Sequence, residues 1–327
     1  MMRVAMDTNL WSSIRGEETE KSFEALINSR GLRVIVPPSV LVEVVRIPVA
    51  EARQQVIHAL AAGRRDRLPT EAESESLEVV SEVKRIRPQW MRTIPNTGRT
   101  WSLNNFWTKK IWREALQDSQ RLHDYEMRQT PMRDRLVDRQ KRDRGSFLQS
   151  DFKIGPLTGL LIRADANSPD SYLAGWSGHP VEFWRIQLRD YYWHQLGIIA
   201  GRAALTKEDT TAADWVGPYV DLSRLRSDHE DFTRFWLSEV DISNIPRNWL
   251  RCAVRVAQTY YKITPGNPAD EQHSSYLFDC DLFLSADSRY ISTLRFVRDS
   301  APFDFAEPRL VNGDRDIPII DRLEAVI

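Results

Sequence analysis

Four carboxylates define the chemistry open to this sequence. Asp7 follows the short apolar run Arg3–Met6, and Asp287 follows Leu282-Phe283-Leu284, so each stands where a buried strand is expected to end. Glu43 lies on a helix expected after Pro37-Pro38-Ser39, and Asp270 in the first turn of a helix that precedes the Asp287 strand. Ligands of open parallel sheets bind outside the carboxyl ends of the strands, and all four acids can reach that end. Carboxylates crowded together repel and raise one another's pKa. A hard divalent cation removes the conflict with an oxygen shell. One or two Mg2+ or Mn2+ ions held this way activate water and stabilise the leaving oxygen of a phosphodiester. No protein nucleophile is then needed, and the chain shows no Ser/His/Asp order, P-loop or nucleophile elbow. Singly, each acid has a plainer role: Asp7, Asp270 and Asp287 as caps or turn residues, Glu43 as a solvated helix residue. Their shared place beside one sheet end is what argues for a site.

The elements that must position these acids alternate strand and helix. A helix is expected over Thr19–Ser29, with Phe23, Leu26 and Ile27 on one face and Gly31 beyond its end. Leu32–Val36 is rich in β-branched residues and reads as a strand. The prolines at 37 and 38 suit the start of the next helix, where a missing N–H costs little. This order predicts an α/β unit with a parallel sheet. The pattern resumes late, with a short strand at Val240–Ile242, an amphipathic helix over Pro246–Tyr261 and a Pro/Gly loop over Thr264–Ala269. The Asp270 helix, the strand within Cys280–Ala286, a helix over Ser288–Arg298, a strand over Pro308–Val311 and a helix over Pro318–Ile327 follow. Residues 50–235 read as mainly helical, polar and tryptophan-rich, with helices expected over Ala50–Ala62, Glu71–Arg87, Leu103–Met127 and Val181–Ala204. The expected organisation is a catalytic domain formed by 1–50 and 236–327, split by a helical insertion over 51–235.

Apolar residues make up 42% of the 327 and charged residues 28%, a balance that supports a real core. Cys252 and Cys280 are too few for a disulfide framework, and the histidines show no zinc-ligand spacing. No apolar stretch approaches the roughly 20 residues that span a bilayer, and a cytoplasmic protein is expected. The net charge of −1 hides an asymmetry: Lys84–Arg144 holds 16 basic and 7 acidic residues. Basic side chains attract phosphates and aromatic faces stack on unpaired bases. Arg133, Arg135, Arg139 and Arg142, with Trp101 and Trp107, are therefore candidates for an RNA-holding surface. The competing reading makes the aromatics core and the charges a solvated helix face, since Asp134, Asp138 and Asp143 interleave at helical spacing. Trp176, Trp184, Tyr191, Tyr192 and Trp193 read as packing residues.

Four segments resemble the PIN-domain nucleases. Met6-Asp7-Thr8-Asn9 is similar to the family's opening signature, and Pro37–Glu43 to its second acid on a helix. Gly266–His273 resembles the third acid with a trailing histidine, and Cys280–Asp287 the strand that ends in a Thr-x-Asp pattern, with Ser285 in place of threonine. The resemblance covers roughly 1–50 and 236–327. It implies a three-layer PIN-like fold and metal binding by Asp7, Glu43, Asp270 and Asp287, with Thr8, Asn9 and Ser285 orienting the site. It also implies a Mg2+- or Mn2+-dependent endoribonuclease, in the manner of toxins or RNA-processing enzymes, which a protein inhibitor or other regulatory partner can accompany. Glu271 and Asp281 are additional acids beside the third and fourth motifs, and Asp281 is a supporting candidate. The alternatives are a PIN-like binding or scaffold protein and a DNA-directed nuclease of a defence system.

Overall fold

The computed structural model describes residues 1–63, 65–149, 154–162, 174–198, 212–261 and 263–327. The end of the helix expected to reach Ala204 lies outside them. Among the described residues seven strands are formed: β1 (Met2–Met6), β2 (Leu32–Val36), β3 (Arg65–Arg67), β4 (Leu161–Ile162), β5 (Val181–Glu182), β6 (Leu282–Ser285) and β7 (Glu307–Leu310). Five build one sheet in the order β3-β2-β1-β6-β7, and every pairing in it is parallel. β4 and β5 form a separate antiparallel ribbon.

The sheet is covered on both faces, which explains why its central strands read as unbroken apolar runs rather than as an alternation. Val4, Met6, Val34, Val36, Leu282 and Leu284 enter one core. Their in-between neighbours Ala5, Ile35 and Phe283 enter the other. The first core is closed by helices Glu17–Ser29, Pro38–Val44, Ala50–Ala61, Ile111–Gln117 and Ile319–Glu324. The second is closed by Glu71–Ile86, Pro246–Tyr260, Ser288–Ser300 and, farther out, Phe183–Tyr192 and His229–Arg234. Trp184 and Tyr192 are fully buried there, and Tyr191 and Trp193 pack against the same core. Trp176 packs against a smaller cluster around Val181 and Leu237.

Three local expectations need correction. Val240–Ile242 is not a strand: Asp241 accepts a hydrogen bond from Ser243 N at 2.9 Å and caps a short 3-10 turn over Ile242–Asn244. Side chains that bond their own backbone compete with a sheet ladder. Leu103–Met127 is not one helix. Gly98–Asn105 runs through a π-helical turn at Phe106–Lys110 into Ile111–Gln117, and Asp118 then starts Ser119–Arg128 by accepting from Arg121 N at 3.0 Å. The sheet also takes β3 from within the segment expected as an insertion. Arg65-Asp66-Arg67 carries no apolar signal because an edge strand is stable, and protected, when charged. Among the described residues no helix is long and apolar enough to cross a membrane.

Helices Glu71–Ile86 and Pro246–Tyr260 pack through polar groups as well as apolar ones. Glu78 accepts hydrogen bonds from Arg247 N at 3.1 Å and from Asn248 N and Nδ2 at 3.2 and 2.9 Å, at a helix start that has unsatisfied N–H groups. Burial pushes the Glu78 carboxyl up to about 7 despite these bonds. A carboxyl raised in the folded state binds more protons there than when unfolded, so its contribution falls as pH rises from about 4.5 to about 7. Thermal unfolding across this range is expected to show that fall in the wild type and a flatter profile in Glu78→Gln. Identical profiles would remove Glu78 as the cause.

Candidate metal centre

The strand order reverses direction at β1, whose neighbours β2 and β6 lead to opposite sheet edges. Such a reversal leaves a crevice at the carboxyl ends of the strands. Asp7 leaves β1 at this point, held beside β6 by Asp7 N donating to Leu284 O at 2.9 Å. Its side chain is buried. Oδ1 accepts from Thr8 N at 2.7 Å, and Oδ2 accepts from Asn9 Nδ2 and Ser285 Oγ, both at 2.6 Å. Asn9 is itself fixed, because its Oδ1 accepts from Ala286 N at 3.1 Å. Ser285 Oγ also accepts from Asp287 N at 2.9 Å, so one hydroxyl ties both strand-end acids together. The Thr8 hydroxyl donates to Glu43 Oε2. Thr8, Asn9 and Ser285 thus all hydrogen-bond carboxylate oxygens of Asp7 or Glu43.

Helix Asn267–Ser274 supplies the next groups. Asp270 Oδ2 accepts from Gln258 Nε2 at 2.9 Å, and Asp270 O accepts from the Tyr290 hydroxyl at 2.8 Å. Three residues on, and so on the same helix face, is His273. It is 3% exposed, with Nε2 3.5 Å from Glu43 Oε2 and Nδ1 4.0 Å from Asp7 Oδ1. Among the described residues neither ring nitrogen has a hydrogen-bond partner. One donor atom each from Asp7, Glu43 and His273 lies within 4.8 Å of the others, a group compact enough to hold a metal ion.

The electrostatics agree with this crowding. Burial raises the Asp7 carboxyl and Glu43 raises it further, while His273 and the bonds from Ser285 and Thr8 pull it back. Asp270 is raised well above the carboxylate range by burial first, then by Asp7, Glu43 and Asp287 in turn. The four acids therefore share one field. Asp287 is the exposed member. Its Oδ1 accepts from Arg289 N at 2.8 Å and Tyr290 N at 3.0 Å, capping helix Ser288–Ser300. The structural role considered for it is real, and it coexists with a position at the crevice.

Other candidates are not brought there. Asp281 enters β6 at its amino end and accepts from Arg3 N at 2.7 Å and Arg3 Nη2 at 3.0 Å, at the opposite end of the sheet from Asp7. It is not a supporting residue of this site. Glu271 is buried and committed to Arg255 Nε, 2.9 Å away, and to Gln140. The arginine group divides. On helix Thr130–Gln149, Val137 and Gln140 face inward, and Arg144 donates to Tyr261 O. Arg133 shares that inner side and donates to Thr130 Oγ1 at 2.9 Å. Arg135, Arg139 and Arg142 lie together on the exposed side, facing away from helix Asn267–Ser274. Trp101 is 73% exposed. Trp107 lines a cleft of about 320 Å³ with Leu41, Val42 and Tyr125, on the side of helix Pro38–Val44 turned away from Glu43. Trp90 and Trp112 are core.

His273 is the residue that sequence reading left without a role. The signal for it was its i+3 spacing from Asp270, which puts both on one helix face. No protein-family model, curated protein or solved structure matches the chain.

Proposed function

We propose that the chain is a metal-dependent nuclease with a PIN-like core, hydrolysing RNA internally through the Asp7–Glu43–Asp270–Asp287 cluster. One observation carries the reading: Asp7, Glu43 and the buried, unpartnered His273 meet at the carboxyl end of a parallel sheet, at its order reversal. The residues fit a divalent ion, because two raised carboxyls and an imidazole without hydrogen-bond partners are donors in need of a cation. Asp7, Glu43 and His273 would hold it, with Asp270 and Asp287 at hand for a second ion or for water. A bound Mg2+ or Mn2+ supplies an activated water and charge neutralisation at the scissile phosphate. The protein's part is positional. Thr8, Asn9 and Ser285 fix the carboxylate oxygens before substrate arrives, so little reorganisation remains at the reacting centre. Exposed Asp287 and Asn9 give a phosphodiester an open approach.

The test is incubation of purified protein with a mixture of single-stranded RNA and DNA under Mg2+, Mn2+ or chelator. Metal-dependent internal cutting of RNA is expected. Cutting of DNA alone would reassign the substrate, and no cutting of either would favour a binding or scaffold role. The outward stripe of Arg135, Arg139 and Arg142 is the surface proposed to hold RNA. Replacing all three by glutamine is expected to lower the slope of log affinity against log salt by roughly 0.7 for each phosphate no longer neutralised. An unchanged slope would leave the stripe a solvated face or a protein-binding surface.

A further inference from the structure

The metal centre proposed above is not a purely oxygen site. We propose that His273 is a nitrogen ligand of the centre and that it shifts the centre's preference toward imidazole-accepting first-row ions, in the order Mg2+ below Mn2+ below Co2+. This assignment rests on the metal-dependent reading of the same cluster.

Three observations support it. First, His273 is nearly fully buried, yet among the described residues neither ring nitrogen donates or accepts a hydrogen bond. Buried polar groups are satisfied in the great majority of cases, and an orphan asks for a missing partner. Second, its nitrogens approach carboxylate oxygens of both Asp7 and Glu43, but at 4.0 and 3.5 Å, beyond hydrogen-bond length. A histidine serving only as their counter-ion would close those gaps. Third, those same oxygens already have donors on other sides. Asp7 Oδ1 accepts from Thr8 N, and Glu43 Oε2 accepts from the Thr8 hydroxyl. The carboxylates are thus held in place without the imidazole, leaving it aimed at the space they share.

The chemistry of such a donor set follows. Mg2+ dehydrates reluctantly and favours carboxylates and water. Imidazole suits later first-row ions, and affinity for a given site rises from Mn2+ to Co2+. Replacing one oxygen donor by His273 therefore rewards the later ions most. Glutamine at 273 would keep the bulk and polarity while removing the imidazole.

Calorimetric titration of metal-free protein with Mg2+, Mn2+ and Co2+ tests this without any substrate. The wild type is expected to bind Co2+ at least tenfold more tightly than Mg2+. His273→Gln is expected to lose at least about 10-fold for Co2+, since losing even an outer-shell partner of a ligand costs about 10–100-fold, with Mg2+ changed by no more than about threefold. Equal wild-type affinities, or an equal loss for every ion, would overturn the assignment. Pulsed EPR of the wild-type Mn2+ complex gives a readout that needs no variant: coupling to an imidazole nitrogen is expected, and its absence from a saturated complex would contradict the proposal. Metal selection through His273 without cleavage of any nucleic acid would sink the nuclease reading and leave the ligand assignment standing. Cleavage with the same metal preference in His273→Gln would do the reverse.

Discussion

Asp7→Asn is expected to lower metal-dependent cleavage by about 10³-fold or more while the protein stays folded. The magnitude follows from what the carboxylate does in the proposed centre. A divalent ion supplies several kcal/mol of charge stabilisation in phosphoryl chemistry, and each 1.36 kcal/mol is tenfold in rate. The fold survives because the substitution is close to isosteric. The amide oxygen still accepts from Thr8 N, while Ser285 Oγ, which already accepts from Asp287 N and Asn9 Nδ2, loses its donor bond to position 7, at about 1 kcal/mol. The bond from Asn9 Nδ2 to position 7 is lost as well, at about 1 kcal/mol. Removing a buried charge offsets part of that. Cleavage rate and far-UV circular dichroism of the variant, measured together, check both halves. Wild-type rates in a folded Asp7→Asn protein would remove Asp7 from the mechanism.

Asp270→Asn is expected to move activity and stability in opposite directions. Cleavage should fall by at least about 10²-fold, as it does when one preorganised charge-stabilising group is lost. Metal-free protein should gain roughly 1–3 kcal/mol at neutral pH, the scale of an unfavourable buried polar group. The sign follows from the raised carboxyl. Burial and the neighbouring acids make the folded protein bind a proton at Asp270 that the unfolded chain has already released. Stability therefore falls as pH rises through the interval between the ordinary aspartate range and the raised value, and above it the penalty is complete. Asparagine carries no such penalty. The gain should shrink as pH falls toward the ordinary aspartate range, where both states are protonated, and a saturating divalent ion should cancel it. Thermal unfolding with chelator across this range makes the check. A destabilised variant at neutral pH would show that Asp270 serves the fold through its bond from Gln258, not a site strained without its cation.

The sheet and its acids were legible because their signals are local. Val4–Met6 and Leu282–Leu284 are buried on both faces, so their apolar runs survive in the one-dimensional pattern, and Asp7 and Asp287 follow close behind. Pro38 at a helix start is equally local. Most of what failed depended on partners distant in sequence, while the local caps at Asp118 and Asp241 broke two expected elements. β3 is three charged or polar residues that become a strand only because β2 offers an edge. Asp281 lies immediately before a motif strand, but its partner Arg3 holds it at the amino end of the sheet. The long helix expected over Leu103–Met127 breaks where Asp118 caps a new start, since capping competes with continuation of a helix. The spacing from Asp270 sets His273 apart from the other histidines but does not assign it a role. Its role depends on Asp7 and Glu43, more than 200 residues away in sequence and a few ångströms away in space. The middle of the chain was read as one helical block, whereas its helices close both layers: Ile111–Gln117 covers one face of the sheet and Glu71–Ile86 the other.

Every expectation for catalysis depends on Asp7 and Glu43, with His273, holding a divalent cation at the sheet end. Anomalous diffraction near the manganese edge, from crystals grown with Mn2+, is the decisive measurement. An anomalous peak is expected at the Asp7–Glu43–His273 cluster, absent from Asp7→Asn crystals grown the same way. Well-ordered crystals at saturating Mn2+ with no peak there, or with ions bound only at other carboxylates, would contradict it.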